Sequence, residues 1–141
     1  MESRHLWVFT GVQIVAMAIL VWFLITWKAP WDNQRYVGTV LACVGIFGIG
    51  LAPYQLGSSF SITPEAKQLV THGLYSKIRN PIYVFGVMIF VGFALVLQKP
   101  TLWVMLAVIV VAQTIRARRE ARVLEAAFGD AYRTYRQNTW F

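Results

Sequence analysis

Residues 81–115, PIYVFGVMIFVGFALVLQKPTLWVMLAVIVVAQTI, decide the fold, because Lys99 is the only charged side chain among them. Lys99 and Pro100 interrupt this apolar stretch and mark a tight turn between two uncharged runs, 81–98 and 101–115. Such runs favour helices in a lipid bilayer, because each helix satisfies its own backbone hydrogen bonds. The sequence therefore predicts an antiparallel hairpin of two transmembrane helices.

Two further uncharged runs precede this hairpin, at 6–27 and 36–54. The first is long enough, at about 1.5 Å per helical residue, to cross a hydrocarbon core of about 30 Å. Hydrophobic residues make up 57% of the 141 residues and charged residues only 13%, which is too apolar for a soluble domain. We therefore predict an all-α integral membrane bundle of about four transmembrane helices, forming one domain over 1–141. Cys43 lies inside the 36–54 run, where packing is its expected role.

Two polar segments lie outside the four runs: a loop at 55–80 and a C-terminal tail at 116–137, which has the pattern of an amphipathic helix. With four spans, the loop, the tail and the N-terminus share one side of the membrane. Ten of the 13 lysines and arginines lie on that side, and three, Lys28, Arg35 and Lys99, lie on the other. The positive-inside rule then predicts that both termini are cytoplasmic. Because the basic residues flank apolar runs, the net charge of +7 indicates membrane topology and not nucleic-acid binding.

The hairpin brings two polar regions together at the predicted cytoplasmic face. One is the end of the loop, from Arg79 to Tyr83, and the other is the start of the tail at Arg116. Arg116 follows only 15 uncharged residues, about 22 Å of helix, so it is expected at or just inside the membrane boundary. Such a cluster is able to hold a polar cofactor on its aqueous side and to admit a lipophilic substrate from the lipid.

Several short motifs follow one another between Leu56 and Tyr135. They are LVTHGLY at 69–75, RNPIY at 79–83 and, after the hairpin, Glu120, Leu124, FGDAY at 128–132 and Tyr135. In this order the chain resembles the isoprenylcysteine carboxyl methyltransferase and phospholipid methyltransferase superfamily of membrane enzymes, which use S-adenosylmethionine. The resemblance is closer to the isoprenylcysteine branch, whose loop carries a stretch similar to LGSSFS at 56–61.

The resemblance implies S-adenosylmethionine as the cofactor and S-adenosylhomocysteine as its product. Tyr75 and Tyr83 offer aromatic faces to an adenine or a sulfonium, and Glu120 is able to bind an ammonium or a ribose hydroxyl. The opening of the third helix offers N–H groups to a carboxylate. The cofactor site implied in this way comprises Lys67, Gln68, Leu69, Val70, Tyr75, Asn80, Pro81, Ile82, Tyr83 and Glu120.

Two residues are candidates for a direct part in the reaction. By the same resemblance, Arg116 occupies the position that meets the polar end of the substrate, and it lies one helical turn before Glu120. A substrate carboxylate or phosphate would offset the cost of an arginine at membrane depth. His72 is the only imidazole near the site and is a candidate proton acceptor for a thiol or an ammonium, whereas a carboxylate nucleophile needs none. The alternative for His72 is a loop or interfacial role.

Two positions depart from the family pattern. Asn80 stands where the family has a histidine before the proline, and Ala121 stands where a second glutamate usually follows Glu120. The loss of that glutamate leaves open a non-catalytic membrane protein that keeps the fold and binds a lipid or a partner. A related membrane enzyme such as a reductase is a third interpretation, but the dinucleotide-binding glycine pattern is absent from the sequence.

The methyl acceptor and the partners are less closely defined. A prenylated protein cysteine, a small lipophilic thiol or carboxylic acid, and phosphatidylethanolamine all fit a pocket that opens to lipid. The expected partners are a lipophilic small molecule or a lipidated substrate, together with membrane lipids, for which Arg118 and Arg122 form a basic collar. Neither a metal ion nor a nucleic acid is expected, and the sequence leaves the oligomeric state open.

Overall fold

The computed structural model describes residues 2–28, 30–56 and 69–141, with all their side chains except those of residues 2–10, 12 and 13. All regular elements in these ranges are helical, which confirms the all-α prediction for the described part of the chain. The elements are α1, Glu2–Thr26; α2, Asn33–Leu56; a 3-10 helix, Gly73–Ser76; α3, Pro81–Leu97; α4, Pro100–Phe128; and α5, Asp130–Asn138.

Two of these helices, α2 and α4, are long and apolar enough to cross a membrane. The Ile14–Thr26 part of α1 and the whole of α3 are shorter apolar helices. Helical structure in α4 continues past the uncharged run, through the basic residues, as far as Phe128. Large apolar side chains, among them Val104 and Val108, are exposed along α4. An exposed apolar surface of this kind is suited to contact with lipid.

The contact between α2 and α3 is the most extensive helix pairing in the described residues, and glycines line it. A Cβ atom added to Gly92 would lie 2.6 Å from the carbonyl oxygen of Gly38 and 2.6 Å from the nitrogen of Ala42. A Cβ atom added to Gly45 would lie 2.8 Å from the carbonyl oxygen of Phe85. The two backbones are therefore in direct contact, which is how small residues stabilise helix pairs in membranes.

A small apolar core joins α1 to α2. It is formed by the buried side chains of Leu20 from α1 and of Ala42 and Ile46 from α2. Cys43 is half-buried and packs against this core, as does Phe93 from α3. The packing role expected for Cys43 is confirmed.

Arg35 ties the end of α1 to the start of α2. Its side chain is 1% exposed, and its guanidinium donates hydrogen bonds to the carbonyl oxygens of Leu24 at 2.9 Å and Trp27 at 3.0 Å. The Leu24 carbonyl belongs to the last turn of α1 and the Trp27 carbonyl follows directly after the helix, so no N–H from the helix itself reaches them. The guanidinium also lies 4.5 Å from the centre of the Trp31 ring, a cation–π distance. Arg35 therefore caps α1 from the first turn of α2.

Replacing Arg35 with methionine should lower the free energy of unfolding by about 2 kcal/mol, because the carbonyls of Leu24 and Trp27 lose a charged donor. Thermal unfolding of the detergent-purified protein measures the change. Gln34→Met is the matched control, since Gln34 is exposed one residue earlier in the same helix. Equal stability of the two variants would contradict the capping role.

Hydrogen bonds also join the turn between α3 and α4 to the turn between α1 and α2. Gln98 ends α3 in the left-handed conformation, with φ of 52°, and its side-chain amide donates to both carboxylate oxygens of Asp32, at 3.0 and 2.8 Å. Asp32 also accepts a 2.9 Å hydrogen bond from the backbone N–H of Arg35 in the first turn of α2. This backbone bond and the Gln98 amide hold the pKa of Asp32 below its usual value. The carboxylate therefore connects the α1–α2 and α3–α4 turns.

Candidate functional site

Tyr83 and Glu120 connect the RNPIY motif before the hairpin with the motif residues after it. Tyr83 lies in the first turn of α3, and its hydroxyl donates a 2.9 Å hydrogen bond to Oε1 of Glu120 on α4. The two residues are 37 positions apart in the sequence and meet because α3 and α4 form the hairpin. Both side chains are half-buried, so the carboxylate is partly shielded from water without being enclosed.

Arg116 completes this cluster from one helical turn earlier on α4. Its guanidinium lies close enough to the Tyr83 hydroxyl to interact with it by hydrogen bonding and by charge. A carboxylate and a guanidinium therefore flank one hydroxyl, and we refer to Tyr83, Arg116 and Glu120 as the α3–α4 cluster. An arrangement with both signs of charge is able to bind a zwitterion, with Glu120 on an ammonium and Arg116 on a carboxylate or a phosphate.

The loop before α3 presents Tyr75 to the same region. Its side chain is buried, and the nearby Tyr135, Glu120 and Tyr83 affect the pKa of its hydroxyl electrostatically. Burial raises the pKa of Tyr75, and these neighbours add to the rise, so its hydroxyl stays protonated near neutral pH. Gln55, at the end of α2, holds this loop by accepting a 2.6 Å hydrogen bond from the Leu74 N–H. The end of α2 therefore positions a residue of the site.

A buried hydrogen bond connects α5 to this loop. The hydroxyl of Tyr135 donates to the carbonyl oxygen of Tyr75 at 2.7 Å. Burial raises the pKa of Tyr135 to about 12, so the hydroxyl remains a donor at physiological pH. The sequence motif includes Tyr135, but the sequence alone gives no partner for its hydroxyl.

The last residues of the chain pair with the segment that leads into α3. The N–H of Trp140 donates to the carbonyl oxygen of Lys77 at 3.0 Å, and the N–H of Arg79 donates to the carbonyl oxygen of Trp140 at 3.2 Å. The N–H of Asn80 donates to the carbonyl oxygen of Phe141 at 3.0 Å. This parallel pairing fixes the backbone just before the α3–α4 cluster. Sequence reasoning missed it, because backbone pairing of so short a segment leaves no side-chain pattern.

The sequence predicts that N–H groups at the start of α3 are available to a carboxylate, but one of them is already hydrogen-bonded. The N–H groups of Tyr83 and Val84 both donate to the carbonyl oxygen of Asn80, at 3.1 and 3.2 Å. The Tyr83 N–H therefore already has a partner within the helix. Pro81 is buried, Ile82 is half-buried, and the side chain of Asn80 makes no capping hydrogen bond.

The remaining predicted residues lie in or near the loop. Leu69 and Val70 are half-buried just before the 3-10 helix, whereas Lys67 and Gln68 lie outside the described residues. His72 is exposed at the start of the 3-10 helix, and within the described part of the chain no hydrogen bond joins its imidazole to the α3–α4 cluster. The structure thus brings together Tyr75, Tyr83, Arg116 and Glu120, with Asn80, Pro81 and Ile82 leading into Tyr83 along the chain.

Within residues 2–28, 30–56 and 69–141, no group of three or more His, Cys, Asp or Glu side chains is placed to hold a metal ion. The only such side chain in the α3–α4 cluster is Glu120, and its carboxylate accepts the Tyr83 hydroxyl hydrogen bond.

These features define a helical bundle with apolar, lipid-suited helices and a polar cluster at one end of its α3–α4 hairpin. The sequence model of the phospholipid methyltransferase family matches residues 33–131, and the chain belongs to this family. The match includes α2, α3, α4 and every predicted site residue. The family match and the two helices that are long and apolar enough to cross a membrane indicate a membrane protein.

A curated relative is similar to part of the chain. The chain is 30% identical over 99 residues to the nickel-cobalt-cadmium resistance protein NccN of Alcaligenes xylosoxydans xylosoxydans. The aligned part covers 69% of this chain and 46% of the relative, so the chain spans about half the length of that protein. No solved structure matches the chain.

Proposed function

We propose that this protein transfers a methyl group from S-adenosylmethionine to a lipophilic acceptor at the cytoplasmic face of a membrane. The observation that carries the proposal is the hydrogen bond between Tyr83 and Glu120. It joins the loop motif to the tail motif and brings an anionic and a cationic side chain to the same hydroxyl. Family membership supports the reaction class, since phospholipid methyltransferases generally use this cofactor.

The side chains of the site fit the cofactor by charge and shape. Glu120 offers an acceptor for the ammonium or for a ribose hydroxyl, and Tyr75 and Tyr83 offer aromatic faces to the adenine or the sulfonium. When bound, S-adenosylmethionine supplies an electrophilic methyl group on a positively charged sulfur. Arg116 is proposed to hold the anionic end of the acceptor beside that methyl group. Most of the rate enhancement would then come from positioning.

The class of acceptor is proposed more broadly than the cofactor. An isoprenylcysteine-type carboxylate, or a lipid-like thiol or amine, suits a site at the end of a hairpin whose outer surface is apolar. The LGSSFS stretch that favours the isoprenylcysteine branch lies almost entirely outside the described residues, with only Leu56 described. Its contribution to the branch assignment therefore rests on the sequence.

We further propose a four-span topology with both termini in the cytoplasm. In this topology α1 and α3 cross the membrane together with α2 and α4, the two helices that have the length and composition of a membrane span. At helical rise the 17 residues of α3 reach about 25 Å, close to the thickness of a hydrocarbon core. The distribution of lysine and arginine supports this orientation.

Calorimetric titration of the detergent-purified protein with S-adenosylhomocysteine tests the proposed function. We expect wild type to bind with a Kd in the roughly micromolar range. Glu120→Ala should weaken binding by about 10- to 100-fold and Tyr83→Phe by about 10-fold, because a charged and a neutral hydrogen bond are lost. Glu125→Ala is the matched control, since Glu125 lies on the same helix and pairs with Arg133 at 3.0 Å instead.

The same titration separates this proposal from its alternative, a non-catalytic membrane protein that keeps the fold and binds a lipid or a partner. Ala121 favours the alternative, because it replaces a glutamate of the family pattern directly beside Glu120. A well-folded wild type that does not bind S-adenosylhomocysteine would overturn the methyltransferase proposal. Binding that is lost in Glu120→Ala and kept in Glu125→Ala would exclude the alternative.

A further inference from the structure

The outer face of α4 changes from apolar to basic where the helix leaves its uncharged run. Positions three or four residues apart share one face of a helix. On this face four aliphatic side chains are 48% to 68% exposed, and they are Val104, Val108, Val111 and Ile115. The same spacing continues to three exposed arginines, which we call the arginine stripe: Arg118, Arg119 and Arg122. Buried Ala117 lies on the opposite face of the helix.

The arginine stripe has no counter-charge in the described part of the chain. No ion pair or hydrogen bond joins its three guanidinium groups to any residue described there. Arg133 in α5, by contrast, pairs with Glu125 at 3.0 Å and with Asp130 at 3.2 Å. The acidic residue within the basic segment of α4 is Glu120, and its carboxylate accepts the hydrogen bond from the Tyr83 hydroxyl. The charge of the stripe is therefore available to a partner outside the chain.

Repulsion within the stripe favours a bound anion. Arg122 lies four residues after Arg118 and three after Arg119, so its side chain is a neighbour of both on the helix surface. Like charges at these spacings destabilise a helix, and an anion bound between them removes the repulsion. A guanidinium group binds a phosphate through two parallel hydrogen bonds. Phosphate groups are therefore suited to the stripe.

The depth of the stripe in a membrane favours lipid phosphates over other phosphates. Arg118 lies about 5 Å and Arg122 about 10 Å beyond Ile115 along the helix axis. The headgroup layer on each side of the hydrocarbon core is roughly 5–8 Å thick. Because the apolar part of this face ends at Ile115, the arginines reach this layer when α4 crosses a bilayer. Lipid headgroups then lie at the height of the guanidinium groups, and a soluble anion would have to displace them.

We propose that Arg118, Arg119 and Arg122 bind the phosphate groups of anionic lipids on the outer face of α4. Anionic lipids are preferred to zwitterionic ones, because the headgroup of a zwitterionic lipid carries a cation that the arginines repel. Glu120 lies between Arg119 and Arg122 along the helix, so the α3–α4 cluster lies at the level of the bound headgroups. This inference concerns the contact with the membrane and does not depend on the proposed reaction.

Native mass spectrometry of the full chain tests the proposal. The protein is released from mixed micelles that contain equal amounts of dioleoyl phosphatidylglycerol and dioleoyl phosphatidylcholine, which share their acyl chains and differ in net charge. We expect wild type to retain phosphatidylglycerol over phosphatidylcholine by about tenfold or more. Arg119→Gln/Arg122→Gln should remove most of this preference, because each arginine near a membrane surface contributes about fivefold in affinity.

The matched control is Arg133→Gln/Arg136→Gln in α5, which removes two exposed arginines at the same spacing and should keep the wild-type ratio. Thermal unfolding in detergent shows whether both variants are folded. A measurement on wild type alone is to raise ammonium acetate from about 0.1 M to about 1 M, which should lower the ratio because salt screens exposed charges. A wild-type ratio near one, a ratio that salt does not change, or an equal loss in the two double variants would overturn the proposal.

Two further probes separate lipid from soluble anions. Glycerol 3-phosphate carries the phosphate without acyl chains, and an excess of it should leave the retained phosphatidylglycerol unchanged. A short single-stranded oligothymidine should bind wild type no more tightly than it binds Arg119→Gln/Arg122→Gln. Displacement of the lipid by glycerol 3-phosphate would indicate a site for soluble phosphates, and oligothymidine binding that the double variant loses would indicate a nucleic-acid surface. Either result would overturn the assignment to lipid.

Discussion

Replacing Gly92 with leucine should lower the free energy of unfolding by about 3 kcal/mol. A Cβ atom at this position would lie 2.6 Å from the backbone of α2, at the carbonyl oxygen of Gly38 and the nitrogen of Ala42. Backbone atoms have no rotamer to change, so the two helices would have to separate. Thermal unfolding in detergent measures the loss.

The control is Gly11→Leu in α1, where an added Cβ atom meets nothing within 4 Å. Both substitutions replace a helical glycine with a better helix former, a gain of roughly 0.5–1 kcal/mol that applies to both. The difference between the two variants therefore reports the α2–α3 contact alone. If Gly92→Leu proved as stable as Gly11→Leu, the close approach of the two backbones would be wrong.

The α2–α3 contact also bears on the site, because α3 carries Tyr83 in its first turn and α2 carries Gln55 in its last. Helix positions fixed by Gly38, Gly45 and Gly92 thus determine where the tyrosine and the loop anchor lie. We expect Gly92→Leu to weaken the binding of S-adenosylhomocysteine as well, even at temperatures where the protein remains folded.

The helices were predictable from sequence because each follows from one physical requirement, the absence of charge over a length that suits a membrane. The uncharged run at 36–54 lies within α2, and the run at 81–98 matches α3 to one residue at its end. α4 also continues where the sequence predicts an amphipathic helix in the tail. It extends through Arg116 to Phe128 because the residues after Arg116 still favour helix once they leave the apolar region, and Gly129 follows as its C-cap.

The motif resemblance and the hairpin predicted that Tyr83 and Glu120 lie in one site, but not the hydrogen bond between them, since neither residue has a local signal that identifies the other. Features made by single long-range contacts were not predictable. Arg35 has the same sequence signal as any basic residue near a membrane surface, yet it is buried against the end of α1. The pairing of Trp140 with Lys77 and Arg79 involves only backbone atoms, which every sequence possesses. Such contacts depend on the assembled fold.

Replacing Gly73 with alanine should weaken the binding of S-adenosylhomocysteine about 10-fold or more, because two costs fall on the loop that presents Tyr75. Gly73 has a φ of 60°, a conformation that costs a residue with a Cβ atom roughly 1–2 kcal/mol. The added Cβ atom would also collide with the side-chain amide of Gln55, which holds Leu74 through its 2.6 Å hydrogen bond. The 3-10 helix would therefore shift, and Tyr75 would move with it. Calorimetric titration measures the affinity, and thermal unfolding shows that the bundle stays folded.

Gly129→Ala separates the two costs, since Gly129 has a similar φ of 51° but an added Cβ atom there meets nothing within 4 Å. Both variants carry the penalty for a positive φ, and only Gly73→Ala disturbs Gln55. We therefore expect Gly129→Ala to lose stability without losing affinity. The further variant Gln55→Ala removes the anchor without straining the backbone and should reproduce most of the affinity loss of Gly73→Ala. Equal affinities of Gly73→Ala and Gly129→Ala would show that Gln55 does not position the loop, and that Tyr75 is placed by Tyr135 and the tail instead.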